Sequence, residues 1–274
     1  MASRIIPVKI SGVRVESFVG SFDTGIAYLK EKGYSLWTAR DLAHCRILAG
    51  PKDEISTDWS VIAENVNYFP RDPEFVFIAD SRHNPLLQSP AEATSAHLRG
   101  EEFYLDEGMP YISLTLLAER NPEKAFKSGV LSLPRQLVEA RIPVESFSSH
   151  PLTYFLFRDM AGQYGNFLKE NKIADIGVGL TSQDHLRKQK QPFGRALRVS
   201  TLSNKSNISD HYNLSVDDGQ VSGVQYIPAE RDAPELLQEI KGLENMLTTL
   251  EKGVLIQTAE GQYRLRLTKV DKKA

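Results

Sequence analysis

The stretch Pro73-Glu-Phe-Val-Phe-Ile-Ala-Asp-Ser-Arg-His-Asn-Pro85 decides the fold class. Phe75–Ala79 is an unbroken apolar run directly after a proline. A run of this length without polar alternation has no solvent face, so it predicts a buried central strand. It empties into Asp80-Ser-Arg-His-Asn84, a polar turn ahead of Pro85.

The chain on either side mixes helical and extended patterns. Upstream, Ile5–Ile10 and Val13–Val19 flank Ser11-Gly12 and predict a hairpin. Ser21–Gly33 and Thr38–Ala49 carry helix start and stop signals, with Thr38 as N-cap and Gly50 just past the end. A third helix is expected over Thr57–Asn67, because Trp59, Ile62, Ala63 and Val66 share a helical face. Downstream, Pro90 opens a helix to Arg99, and His150–Lys172 reads as the longest helix. Val130–Leu133, Ile176–Leu180, Ala196–Leu202 and Val221–Ile227 read as strands. The class is therefore α+β: a mixed, mostly antiparallel sheet with packed helices. Periodicity weakens over Pro134–Ser149, which predicts two lobes, 1–135 and 145–274.

The C-terminal end has the most regular pattern. Leu236, Ile240, Leu243, Leu247 and Leu250 recur at steps of four and three, which places them on one stripe of a helix. Gly253 stops that helix, and Val254–Thr258 and Tyr263–Val270 flank Glu260-Gly261 as a hairpin. A stripe spanning about two heptads is short for a coiled coil. It is a surface for packing inside the chain, the default for a stripe this short, or for association in a homo-oligomer or with a protein partner.

Composition narrows the class. The chain has 274 residues, 41% apolar and 25% charged, with a net charge of −2, so it is not a nucleic-acid polycation as a whole. Cys45 is the single cysteine, which excludes an intrachain disulfide and a cysteine-built zinc cage. No apolar run reaches a membrane-spanning length of about 18 residues. The N-terminal residues lack the apolar core of a signal peptide, so a cytoplasmic location is expected.

Two segments carry residue types suited to chemistry. Asp80 and His83 could act as an acid–base pair just beyond a buried strand, with Arg82 holding an anionic group. His185–Ser209 contains Arg187, Lys188, Lys190 and Arg195 and no acidic residue, a pattern that can neutralise phosphates, with Phe193 positioned to stack on a base. No phosphate loop, dinucleotide fingerprint, His-Glu-x-x-His or Gly-x-Ser-x-Gly motif is present, which counts against the common enzyme classes and leaves the cofactor unknown. The six histidines form no ligand pair at helical spacing, and no metal is expected. The leading reading is a non-catalytic binding or assembly protein acting through its C-terminal helix and hairpin. A phosphate-ester hydrolase or nuclease using Asp80 and His83 is the competing reading, and a non-catalytic nucleic-acid-binding protein is the third.

Overall fold

A computed structural model describes residues 13–105, 114–139, 141–203, 206–210, 214, 220–226, 254–258 and 261–265. The chain divides into two compact units, Met1–Tyr226 and Ile227–Ala274. Strands and helices follow one another in the first unit as the α+β class requires. They are β1 (Val13–Val19), α1 (Phe22–Glu31), β2 (Ser35–Leu36), α2 (Ala39–Ala49), α3 (Glu54–Thr57), β3 (Ser60–Tyr68) and β4 (Phe75–Ala79). Then come α4 (Pro85–Gln88), α5 (Pro90–Leu98), β5 (Phe103–Tyr104), β6 (Ala118–Glu119), α6 (Pro122–Ser128), β7 (Val130–Pro134) and β8 (Ile142–Pro143). The unit closes with α7 (Pro151–Phe157), α8 (Ala161–Glu170), β9 (Asp175–Gly179), α9 (Gln183–Lys188), β10 (Phe193–Val199), β11 (Asn207–Ser209) and β12 (Gln220–Tyr226).

Among the described residues the main sheet runs β6-β7-β4-β3-β10-β11-β9-β8, with β5 on the edge of β10. Among the described residues only the β6–β7 and β9–β11 pairs are parallel. A smaller sheet pairs β12 with β1 and β2. β4 lies between β3 and β7 and four of its five residues are buried, as the apolar run predicts. β7 precedes the Pro134–Ser149 segment and β9 follows it, yet both belong to this sheet within the first unit.

β3 corrects the expectation of a helix over Thr57–Asn67. It is a strand in which all nine residues are buried. Ile62, Val66 and Tyr68 enter one core with α2, α7 and α8, while Val61 enters the other with α1 and α5. Side chains alternate between faces, but both faces are covered, so apolar residues occur at both parities. A strand of that kind has no period-two signature, and its apolar positions fell by coincidence at helical spacing.

The Thr38 expectation holds at atomic detail. Its Oγ1 accepts the Asp41 N–H at 3.1 Å, and Asp41 Oδ2 accepts the Thr38 N–H at 3.0 Å, a reciprocal cap on α2. The long helix expected over His150–Lys172 is instead two helices, α7 and α8, separated by a 3-10 turn at Arg158–Met160. The apolar spacing runs straight through the break, so the pattern alone does not mark it. In the second unit β13 (Val254–Thr258) and β14 (Gly261–Leu265) pair antiparallel, with Gly261 inside the strand and not in the expected Glu260-Gly261 turn. The helix expected at Leu236–Leu250, and the first strand of the expected N-terminal hairpin, lie outside the described residues.

Candidate functional site

Asp80 emerges from the end of β4 and is 3% exposed. A buried carboxylate is costly unless it is paired and hydrogen-bonded. Asp80 Oδ1 accepts the Arg82 backbone N–H at 3.0 Å, and Oδ2 accepts from Arg82 Nε at 2.9 Å and Nη2 at 2.7 Å. Arg158 Nη2 donates to the same oxygen at 3.3 Å. Arg82 also donates to the carbonyls of Phe126 (2.9 Å) and Lys127 (3.3 Å) in the last turn of α6. A cation at the carbonyl end of a helix meets its negative pole.

The structure places His83 beside this pair without joining it by a side-chain hydrogen bond among the described residues. The His83 backbone N–H donates to the Asp80 carbonyl at 3.0 Å. Its ring lies against Gly129, which has φ +84° and whose added Cβ would collide with that ring. Asp80 Oδ2 is held by the Arg82 and Arg158 guanidinium groups and Oδ1 by a backbone N–H, so acid–base work through Oδ2 requires displacing guanidinium groups.

Arg158 joins two helices that the sequence presents as one. It caps α7 with φ +51° and ψ −128°, a left-handed conformation that favours glycine. Holding a side-chain residue there costs about 1–3 kcal/mol. Next to it, Asp159 is bound by Arg40 Nε at 2.6 Å and Nη2 at 2.9 Å, and that guanidinium holds the carboxyl below the usual carboxylate range. Asp41 accepts the Tyr226 hydroxyl, tying β12 to the cap of α2. Burial, reinforced by Asp41, raises the Tyr226 phenol.

Glu64 sits on β3 and is 2% exposed. Its Oε2 accepts the Ala39 N–H at 3.0 Å, at the first residue of α2. Burial pushes its carboxyl up to about 8, with Asp41 adding to the rise and the Ala39 N–H and Arg158 opposing it. At neutral pH this side chain therefore carries a proton.

Two further clusters occupy the β10 edge. Glu102 accepts from Arg195 Nε at 2.9 Å and from Arg195 Nη2, and its Oε1 lies 2.7 Å from His185 Nε2. Asp210 Oδ2 accepts from the Tyr68 hydroxyl at 2.6 Å, the Thr181 N–H at 3.0 Å and Thr181 Oγ1 at 2.6 Å. Burial and that carboxylate raise the Tyr68 phenol well above its ordinary value.

The four basic candidates divide. Arg195 is part-buried and held by Glu102, while Arg187, Lys188 and Lys190 are exposed on or just beyond α9. Arg187 has Asp184 at 3.9 Å. Arg195 lies opposite Val66, and Val66 lies opposite Ile78, two residues before Asp80. Strand spacing and rise then separate Arg195 and Asp80 by about 12 Å along the backbone. Leu236, Ile240, Leu243, Leu247 and Leu250 lie outside the described residues.

Sequence reasoning missed Glu64, Arg158, Glu102 and Asp210. Glu64 carried a usable signal, a carboxylate inside an apolar stretch, but a helical reading gives it a solvent face. Arg158 carried none, because no glycine or proline marks its turn.

No family model matches this chain, and no curated protein matches it. Among solved structures it is similar to one from work on the accommodation of massive sequence variation in Nanoarchaeota by the C-type lectin fold. Identity is 16% and the TM-score 0.55, with 80% of this chain and 100% of that chain covered. That likeness is one of fold. Over 80% of its length this chain is thus similar in fold to that structure. No helix among the described residues is long and apolar enough to cross a membrane.

Proposed function

We propose that this chain is a non-catalytic binding or assembly protein built on a C-type lectin-like scaffold. The observation that carries this reading is the state of the buried Asp80 and Asp210 carboxylates and of the part-buried Glu102. Asp80, Glu102 and Asp210 are each held by donors from other parts of the first unit, as braces are. A general acid or base needs a lone pair or proton aimed at substrate, and these groups aim theirs at arginine, histidine, tyrosine and threonine side chains and at backbone N–H groups. The solved neighbour concerns a fold that accommodates massive sequence variation. A scaffold whose stability rests on internal pairs of this sort leaves its surface sequence free for recognition.

In this reading the C-terminal stripe is the contact surface. Light scattering is expected to show an oligomer or a complex of defined mass, and Leu243→Asp is expected to shift it towards monomer. A monomer at high concentration that remains so with every fraction of its host's extract would overturn the proposal.

A further inference from the structure

We draw no further inference here: the strongest candidate, the open surface groove of about 540 Å³ between the end of α2 and α8, lined by Ile47, Pro51, Phe167 and Glu170 among others, carries nothing because nothing in the structure shows what covers it.

Discussion

Replacing Glu64 by glutamine tests the electrostatic core of this scaffold. The carboxyl is at 4.5 in its ordinary state and at about 8 in the fold, because burial on β3 disfavours its charge. Each unit of displacement is worth about 1.4 kcal/mol, so ionising the folded protein costs about 5 kcal/mol more than ionising the unfolded chain. Below pH 4.5 both states hold the proton and no penalty exists. As pH rises from 4.5 to about 8 the unfolded chain loses its proton and the folded one keeps it, so stability falls across that window and levels off above it. Glutamine keeps an oxygen for the Ala39 N–H and has nothing to titrate, although its extra N–H costs about 1–2 kcal/mol if left unpaired. The variant should be slightly less stable than the parent at pH 4 and more stable by about 3 kcal/mol at pH 8.5. Urea unfolding from pH 4 to 9, followed by Trp37 and Trp59 fluorescence, reads this directly, since both tryptophans lie in the first unit. Other titrating groups, such as His150 with its pKa lowered by burial, cancel in the difference between the two proteins. A difference that stays flat within about 1 kcal/mol from pH 5 to 8 would refute the reasoning, because it would mean the folded state pays nothing to ionise this group.

Two further substitutions probe the braces around the same sheet. Gly129→Ala places a Cβ against the His83 ring at a φ of +84°, and it should lower stability by about 1–3 kcal/mol in thermal or urea melts, with no loss if the turn can relax. Arg46 is fully buried and donates to the Ile55 and Asp58 carbonyls and the Tyr164 hydroxyl. Arg46→Met strands those acceptors and should cost about 3–5 kcal/mol in urea unfolding, and a cost under 1 would show that water replaces the guanidinium.

Where a local signal had a local cause, it was legible without coordinates. The Phe75–Ala79 run became a central strand because an apolar stretch has only one favourable environment. Thr38 and Gly50 bounded α2 because capping involves neighbours three residues apart. Asp80 and Arg82, both in the polar turn after β4, meet there. Their partners were not readable, since Arg158 arrives from 78 residues away and the Phe126 and Lys127 carbonyls from more than 40. Arg195 looked like part of a free basic cluster for the same reason, because Glu102 lies 93 residues before it.

What the amino-acid sequence determines alone is the α+β class, the absence of intrachain disulfides, and the helix and strand signals written within a few neighbouring residues. Whether a segment has one covered face or two belongs to tertiary structure, and that choice made β3 a strand. The same holds for charge. A side chain's protonation and availability depend on desolvation and on donors brought from distant parts of the chain. Only the folded sheet could show that Glu64 holds its proton and that Asp80 is paired with both Arg82 and Arg158.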